Sequence, residues 1–461
     1  MIFKEIDEHF RVDDIAYKGE KVWPYLRIVY GFKMVSASLD KKVDKKAHFV
    51  KRFIKMASSI FYGATNWFKR YDYVVYGNTD GKKLIDGRYH DRLVESLLDQ
   101  LGHENVLFIE QFNQDKFYDL SKLHHKYTVS YSWIELVTAV FSRCFFWSKY
   151  TNDILDDMNK TLKIEVNYDQ LLKHFSLSVY FNMLILRLYK PKVVFITNYA
   201  HKSVVKAAKN LNIPIVELQH GVINAQHHGY NMTKSVDYNF YPDYILTMGE
   251  KEKEFFERES CYIKNDKHVF VVGSYYLDWI NSNFDPQVIR GQYSRFKTLV
   301  SVTLQWTVAE EMIRFIETAA LENLDTLFIL IPRRSSDLKT FNKSSDNIVV
   351  LNEYNCYEIV KSTDFHVTSY SSCGYEAPAL GIQNIFVDLK YSAQSSFDSF
   401  IKEHKYNHFV SSIKEFNQVL EKKSMITQEE IQYENREYIV PQHKRKVSKF
   451  IDYIKNEIEK K

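Results

Sequence analysis

The sequence has little cysteine, glycine or proline: 461 residues contain four, fourteen and eight of them. The cysteines, Cys144, Cys261, Cys356 and Cys373, are far apart and form no C-x-x-C pair. This spacing argues against a disulfide framework or a cysteine zinc site and favours a reducing compartment. A strong charge of one sign is also missing, since the net charge is +4, so the composition predicts no nucleic-acid partner.

Long apolar runs are absent as well. No eighteen uncharged apolar residues follow one another, and the opening MIFKEIDEHFRVDD lacks the apolar core of a signal peptide. We therefore expect a cytoplasmic protein that at most contacts the inner face of a membrane. The basic and then apolar stretch KKVDKKAHFVKRFIKMASSIFYG (41–63) fits either an amphipathic helix on anionic lipid or a solvated helix packed on its own domain.

What is abundant is alternation of apolar strands and helices. After Tyr71, predicted strands that are almost entirely apolar alternate with segments whose apolar residues recur at helical spacing. This pattern indicates parallel sheets covered on both faces. A chain of this length predicts two domains. We expect an α/β fold with two doubly wound halves facing across a cleft, with ligands at the carboxyl ends of the strands. The predicted segments are 1–70 (basic, helical), 71–240 (first half), 241–426 (second half) and 427–461 (terminal helices).

The segment HVTSYSSCGYEAPALGIQNIFVDL (366–389) carries the strongest motif. A strand ends in a serine-rich turn, and Ser371, Ser372 and the free backbone N–H groups of a following helix suit a phosphate. Glu376, about one turn along, can accept hydrogen bonds from ribose hydroxyls. The alternative interpretation is a pair of N-cap serines with a solvated glutamate.

This segment resembles the nucleotide-binding segment of GT-B glycosyltransferases, where a small or hydroxyl-rich turn precedes E-A-x-x-x-G-x-P. Glu376, Ala377 and Gly381 match this pattern, whereas Gln383 stands in place of the proline. The resemblance implies a GT-B fold with two Rossmann-like domains and a nucleotide-sugar substrate. It also implies that the serines meet the donor phosphate, that Glu376 meets the ribose, and that no cofactor takes part.

A second segment, VELQHGVI (216–223), resembles the Q-H-G segment of bacterial capsule and lipopolysaccharide GT-B transferases and, loosely, the H-G segment of CDP-glycerol polymerases. The resemblance places Gln219, His220 and Gly221 at the cleft. His220 could act as general base or donate to phosphate, and Gly221 would let the backbone approach a ligand. The alternative is a hydrogen-bonded structural histidine.

His227 and His228 follow closely, and three histidines within nine residues suggest a metal. The two adjacent residues cannot both face one ion together with His220 without an unusual loop. The resemblance also implies catalysis without a metal, because side chains and helix dipoles neutralise the leaving diphosphate in GT-B enzymes. We therefore predict no metal.

Two further strand ends belong to the expected donor side. VFVVGSYYLDWI (269–280) resembles a G-x-x-x-x-D segment of the family, which makes Gly273 and Ser274 expected phosphate contacts and Asp278 a helix-start residue. In LFILIPRRSSD (327–337) related families carry a histidine where Ile331 stands.

The absence of a histidine at position 331 argues against a CMP-sugar donor. Arg333 or its neighbour could instead bring positive charge to a diphosphate, or the two could be a solvated pair.

The segment YGNTDGKKLIDGRYHDRLVESLLDQLG (76–102) resembles the opening of bacterial polysaccharide-biosynthesis proteins with an R-x-x-D-R pattern. Arg88, His90 and Asp91 are then expected on the acceptor side. His90 or Asp91 is an alternative catalytic base to the histidine of the Q-H-G segment. Asp91 could also simply cap the following helix.

Together these features predict a glycosyltransferase that moves a sugar from a nucleotide-sugar to a growing capsule or O-antigen, on a glycan or lipid-linked glycan acceptor. The alternatives are a CDP-glycerol-type phosphotransferase, a UDP-sugar 2-epimerase and a non-catalytic GT-B-like binding subunit. The phosphotransferase should depend on one histidine from each domain, and Ile331 argues against it.

Overall fold

The computed structural model describes residues 3–38, 49–111, 118–144, 148–232, 237–342, 345–389, 401, 405–422 and 426–460. The chain forms two compact units. The first contains Met1–Thr247, Lys253–Val272 and Lys444–Lys461, and the second contains Met248–Glu252 and Gly273–His443.

The strands, in chain order, are β1 (Ala16–Tyr17), β2 (Glu20–Lys21), β3 (Tyr73–Asn78), β4 (Lys82–Ile85), β5 (Arg88–Asp91), β6 (Val106–Gln111), β7 (Thr128–Ser130), β8 (Val193–Ile196), β9 (Ile215–Leu218), β10 (Tyr244–Thr247), β11 (Val269–Val271), β12 (Thr298–Thr303), β13 (Thr326–Ile331), β14 (Ile348–Val350), β15 (Phe365–Thr368), β16 (Gln383–Val387) and β17 (Asn407–Val410).

The helices are α1 (Phe3–His9), α2 (Trp23–Ser38), α3 (Phe49–Ser58), α4 (Glu95–Leu101), α5 (Ser132–Cys144), α6 (Asp153–Thr161), α7 (Tyr168–Tyr189), α8 (Lys202–Asn210), α9 (Glu250–Arg258), α10 (Tyr275–Asn283), α11 (Gln287–Arg290), α12 (Ala309–Glu322), α13 (Cys356–Lys361), α14 (Cys373–Glu376), α15 (Ile413–Glu421), α16 (Gln428–Glu434) and α17 (His443–Glu459).

The first unit is built on a seven-stranded sheet in the order β11-β10-β9-β8-β3-β6-β7, and all its pairings are parallel. Successive strand residues face opposite sides: Val74 and Tyr76 enter one core, while Tyr73 and Val75 enter the other. Chain order reverses between β3 and β8, which makes their carboxyl ends the topological switch point of this sheet.

The second unit is built on a six-stranded parallel sheet in the order β14-β13-β12-β15-β16-β17. Val300 and Val302 pack on one face against Met312 and Ile313 of α12. Leu299 lies in the core of the opposite face. The switch point of this sheet lies between β12 and β15.

The division of the chain differs from the expected border at 240/241. β10 and β11 extend the first sheet, since Tyr244 pairs with Val216 and Ile245 with Val269. The terminal helix α17 also belongs to the first unit, where Phe450 is buried in its core. An apolar strand buried on both faces carries no mark of the sheet it joins, so the alternation predicted these strands but not their sheet.

The segment predicted over 1–70 is part of the first unit as well. Ile6, Leu26 and Tyr30 form a core cluster with Leu155 and residues of α7. Of the basic stretch 41–63, residues 41–48 lie outside the described residues, and α3 begins at residue 49.

Within the described part of the chain, every helix is either too short or too polar to span a bilayer.

Candidate functional site

The serine-rich turn lies at the switch point of the second sheet. It follows β15, while Gln305 follows the neighbouring strand β12. The Gln305 side chain accepts a hydrogen bond from the Tyr370 backbone N–H at 2.9 Å, which ties the two strand ends together. Ser371 and Ser372 therefore stand where open parallel sheets bind their ligands. The sequence motifs did not single out Gln305 or Tyr370.

Within the turn, the Ser371 hydroxyl makes a hydrogen bond and the Ser372 hydroxyl faces solvent. Ser371 Oγ accepts from the Cys373 N–H at 3.2 Å. Ser372 is exposed, its side chain caps nothing, and its carbonyl accepts from the Tyr375 and Glu376 N–H groups. Because α14 has only four residues, its dipole is much weaker than that of the expected helix. Phosphate binding here would depend mainly on hydroxyls and backbone N–H groups.

Glu376 is buried, with 5% of its surface exposed. Its Oε2 accepts a hydrogen bond from the Tyr357 hydroxyl at 2.9 Å, and the Tyr357 ring packs edge-on against Tyr276. Glu376 is therefore not the solvated glutamate of the alternative interpretation. Its contact with ribose stays a prediction, and that contact would share the carboxylate with Tyr357.

Gly273 has a structural reason to be glycine. Its φ is +82°, and a Cβ there would lie 2.1 Å from the Val440 carbonyl oxygen. Ser274 precedes α10 with a partly buried side chain that makes no capping hydrogen bond. Asp278 lies in the first turn of α10, as expected of a helix-start residue, and its Oδ2 accepts from the His443 N–H at 2.7 Å. Phosphate contacts of Gly273 and Ser274 stay predictions.

Arg333 follows the end of β13 and is exposed. It makes no hydrogen bond or ion pair with any residue that the structure describes. Its neighbour Arg334, also exposed, donates its backbone N–H to Asp337 at 2.8 Å. The geometry agrees with a solvated pair, and a role toward a diphosphate stays a prediction.

Sequence reasoning missed a thiol pair beside the serine turn. Cys356 at the start of α13 and Cys373 at the start of α14 have sulfur atoms 3.8 Å apart, and the two form no disulfide. Their separation of seventeen residues in sequence gave no sign of this contact.

In the first unit, the Q-H-G segment follows β9, next to the switch-point strand β8. The His220 ring stacks on Tyr199, with centroids 5.9 Å apart, and its backbone carbonyl accepts from Arg92 at 3.3 Å. Burial, aided by Arg92 and His201, lowers the pKa of His220 to about 4. Neither ring nitrogen has a hydrogen-bond partner among the described residues, and Nδ1 is shielded from solvent.

His220 is therefore a neutral imidazole at neutral pH, which is the protonation state that a general base requires. The ring also packs on Tyr199, and its role as general base or phosphate donor stays a prediction. Tyr199 and His201, which follow β8, were not identified from the sequence, because no motif marks them.

The flanking residues of the segment differ in their constraints. Gln219 is buried and donates from Nε2 to the Gly221 carbonyl at 2.8 Å. A Cβ on Gly221 would meet nothing within 4 Å, so packing does not require glycine there. Close approach of a ligand to this backbone stays a prediction.

His227 and His228 surround the same tyrosine ring. His227 Nδ1 accepts from the Gly229 N–H at 3.1 Å, and His228 Nε2 lies 3.4 Å from the Tyr199 hydroxyl. Their rings lie 5.1 and 5.9 Å from the Tyr199 ring, both nearly perpendicular to it. Both residues thus have packing roles in the loop after the Q-H-G segment.

Asp91 is buried and occupied. It ends β5, its Oδ1 accepts from the Leu93 and Val94 N–H groups at 2.9 and 3.2 Å, and its Oδ2 lies 3.8 Å from Lys82 Nζ. The Asp91 carboxylate, 3% exposed and with these partners, is not available to an acceptor hydroxyl. It also does not cap α4, whose N-cap is Val94, and instead closes the turn before that helix.

Arg88 is exposed at the start of the same strand, and His90 is partly buried. The His90 ring stacks on His124 at 4.1 Å, and its Nδ1 lies 3.5 Å from Glu95 Oε1. His124 also contacts Glu95 through Nδ1. His90 thus belongs to a histidine–carboxylate cluster that its own motif did not reveal.

Comparisons with known proteins agree on architecture. No protein-family model matches the chain, and no curated protein matches its sequence. Among solved structures, the wall teichoic acid polymerase TagF aligns with a TM-score of 0.51 at 13% identity, over 96% of this chain and 99% of that one.

Two UDP-GlcNAc 2-epimerases align with TM-scores of 0.50. The enzyme from Methanocaldococcus jannaschii is 14% identical over 83% of this chain and 99% of its own. The enzyme from Neisseria meningitidis, bound to UDP-GlcNAc, is 12% identical over 82% and 98%. Together with the two parallel sheets, these alignments confirm the predicted two-domain GT-B fold.

Proposed function

We propose that the chain is a nucleotide-sugar-dependent glycosyltransferase of bacterial surface-polysaccharide assembly. One observation carries the proposal: the hydroxyl-rich turn of Ser371 and Ser372 lies at the switch point of the second sheet, with Glu376 one turn beyond it. Open α/β sheets bind nucleotides at this place. The Neisseria meningitidis epimerase, which shares the fold, is a structure bound to UDP-GlcNAc.

In this proposal the second unit holds the donor. The Ser372 hydroxyl and backbone N–H groups of the turn donate to phosphate oxygens, and Glu376 accepts from ribose hydroxyls. Ser274 and Arg333 supply further contacts to the diphosphate, since an exposed guanidinium can reach phosphate oxygens in pairs. No metal or other cofactor takes part in the transfer.

His220 of the first unit acts as the base. Its neutral imidazole takes the proton from an acceptor hydroxyl while that oxygen bonds to the anomeric carbon of the donor sugar. The bond between the anomeric carbon and the phosphate oxygen breaks, and the nucleotide leaves with the electron pair. The low pKa of His220 keeps the ring lone pair available throughout the neutral range, although it also makes the ring a weaker base than an ordinary histidine.

The acceptor is a glycan or a lipid-linked glycan, and the protein docks on the cytoplasmic face of the membrane. The support is a set of exposed apolar and cationic side chains on α3 and the turns after it. Phe61 is 80%, Phe68 89% and Ile54 60% exposed, and Arg52 and Arg70 of the same segment are exposed as well. Such a surface suits anionic lipid.

Sedimentation with vesicles tests this contact. The protein should pellet with anionic vesicles and not with neutral ones, and the double variant Phe61→Ser/Phe68→Ser should stay in the supernatant. Equal sedimentation of the variant and the unchanged protein would refute docking through this surface.

The remaining candidates predict different products. A CDP-glycerol-type phosphotransferase needs a histidine on the donor side, yet Ile331 ends β13 and both ring nitrogens of the buried His366 are bonded, to Thr303 and Asn384. A 2-epimerase inverts the sugar without any acceptor. A binding subunit releases nothing.

Product analysis distinguishes these functions. The protein is incubated with nucleotide-sugars or CDP-glycerol, with and without a lipid-linked oligosaccharide fraction. A transferase releases the nucleotide only when the acceptor is present, and it adds a sugar to that acceptor. Each of three other results would contradict the proposed function. Sugar epimerised at C2 without acceptor would indicate the epimerase, and CMP released from CDP-glycerol would indicate the phosphotransferase. No reaction with any donor would indicate the binding subunit.

A further inference from the structure

Four side chains of the first unit form a cluster outside the proposed donor site and the Q-H-G segment. They are Glu95 and Asp99 on α4, His103 in the turn after it, and His124 ahead of β7. One ligand atom from each lies within 4.8 Å of all the others. We infer that these four residues form a binding site for a divalent transition-metal ion of the Zn²⁺ class.

The local fold brings the ligands together. Glu95 and Asp99 are four residues apart, so they project from the same face of α4. Gly102, with φ +83°, ends the helix and lets the chain turn, and His103 comes directly after it. The ring of His103 meets the ring of His124 edge-on, with centroids 4.9 Å apart.

Each imidazole directs a ring nitrogen at a carboxylate. His103 Nε2 lies 3.0 Å from Asp99 Oδ1, and His124 Nδ1 contacts Glu95 Oε1. A tetrahedral zinc ion with bonds of about 2.0–2.1 Å holds its ligand atoms about 3.3 Å apart. Small side-chain rotations therefore close this set around an ion, which would replace the hydrogen bonds between these groups.

Residues behind the cluster orient it. His103 Nδ1 lies 2.8 Å from His125 Nδ1, which turns Nε2 toward the cluster. The Asp91 N–H donates to Glu95 Oε2 at 2.8 Å, so that Oε1 is the oxygen directed at the cluster. Metal-binding histidines and carboxylates are usually held in this way by partners on their far side.

The cluster is open to solvent on one side. The side chains of Asp99, His103 and His124 are 36%, 25% and 29% exposed, whereas that of Glu95 is 1% exposed. A depression of about 440 Å³ borders Asp99. Two imidazoles with two carboxylates favour Zn²⁺ and its neighbours over Mg²⁺ or Ca²⁺, which prefer oxygen ligands alone.

Calorimetry on the untagged full-length protein, freed of metal with a chelator, tests the site. We expect one equivalent of Zn²⁺ to bind and to raise the melting temperature, and Mg²⁺ to do neither. Asp99→Asn and His103→Gln should each weaken Zn²⁺ binding more than the roughly 10–100-fold typical of an orienting partner. The exposed His9→Gln serves as the matched control and should bind as the unchanged protein does.

Asp99→Asn decides the matter if His103→Gln fails to fold, because Asp99 is partly exposed and caps no helix. Absence of Zn²⁺ binding to the unchanged protein would overturn the inference. Undiminished binding by folded Asp99→Asn would also overturn it, since the ion would then occupy another place. Neither result bears on nucleotide binding, so the transferase proposal is tested separately.

Discussion

At the scale of single residues, His220 is distinguished by its surroundings rather than by its type. The described structure contains several histidines with burial-lowered pKa values, but most have assigned partners. His366 is bonded through both nitrogens and His227 through Nδ1. His220 combines a low pKa with a ring that no described residue engages in a hydrogen bond. His201 shares this combination, so the contacts of His220 with Tyr199 and Arg92 and its place in the Q-H-G segment distinguish it. The motif predicted its position, whereas its lowered pKa comes first from burial and then from Arg92 and His201, none of which the motif reveals.

His220→Gln should lower turnover by about 10²–10⁴-fold, the range that a general base contributes, and leave donor binding nearly unchanged. His227→Gln, in the same loop and against the same tyrosine, is the matched control and should retain most activity. Equal turnover of His220→Gln and the unchanged enzyme would remove His220 from the mechanism.

The pH dependence of turnover gives an independent test of the same residue. A base is active above its pKa, so a His220 pKa of about 4 predicts constant turnover from pH 8 down to about 5.5 and a loss only below that. The profile is measured as kcat/KM against pH. A loss centred near pH 6.5, the ordinary value for histidine, would point to another base.

At the scale of elements, the central strands could be predicted from the sequence because burial on both faces makes them continuous apolar runs. The apolar runs 297–303, 325–332, 364–369 and 383–389 predict strands, because each is bounded by polar or turn residues. The corresponding strands β12, β13, β15 and β16 begin and end within one or two residues of these bounds. The hairpin of β4 and β5 was missed, since the motif predicted only the approach to a helix there. Its signal was present: Asp86 and Gly87 form the turn, both with positive φ, and Asp-Gly is typical of tight hairpins.

The sequence predicted only those residues of the site that are close together in the chain. Ser371, Ser372 and Glu376 lie within six residues, so a motif could identify them together. The partners of Glu95 could not be found in this way, because His124 is 29 residues away and joins it only through tertiary folding. The contact between Glu376 and Tyr357 was hidden for the same reason.

Gly273→Ala tests whether this glycine serves packing or a ligand. The positive φ, together with a Cβ that would lie 2.1 Å from the Val440 carbonyl oxygen, should lower the free energy of unfolding by at least about 2 kcal/mol. Gly291→Ala is the control, since a Cβ there meets nothing within 4 Å and its φ is −61°. Chemical denaturation measures both. A folded Gly273→Ala of normal stability that binds nucleotide poorly would instead assign the glycine to the donor site.

At the scale of the whole molecule, the two parallel sheets followed from alternation, but their strand order and the assignment of strands to sheets did not. β10 pairs with β9, and β11 pairs with β10, through backbone hydrogen bonds, and such pairing leaves no trace in the side-chain pattern. The terminal helix α17 returns to the first unit for a similar reason, because an amphipathic helix fits any apolar sheet face.

Stability should depend on pH through His366. Burial lowers its pKa in the folded protein to about 4, against about 6.5 when unfolded. Between these values the unfolded chain binds the extra proton, so the free energy of unfolding falls by about 1.4 kcal/mol for each pH unit of acidification from this group. Denaturation curves measured from pH 7 to pH 5 give the free energy of unfolding at each pH. This free energy should change less steeply with pH for His366→Gln than for the unchanged protein. An identical slope would mean that His366 is already protonated in the folded protein or that its proton is not linked to unfolding.

The central claim is that the second unit binds a nucleotide-sugar through Glu376, and calorimetry with UDP-, GDP-, CMP- and CDP-linked ligands tests it most directly. At least one ligand should bind. Glu376→Gln should weaken that binding by about 10-fold or more, the effect of losing hydrogen bonds to a charged group. The exposed Glu353→Gln of the same unit should bind normally. Failure of every nucleotide to bind, or equal binding by Glu376→Gln, would contradict the account.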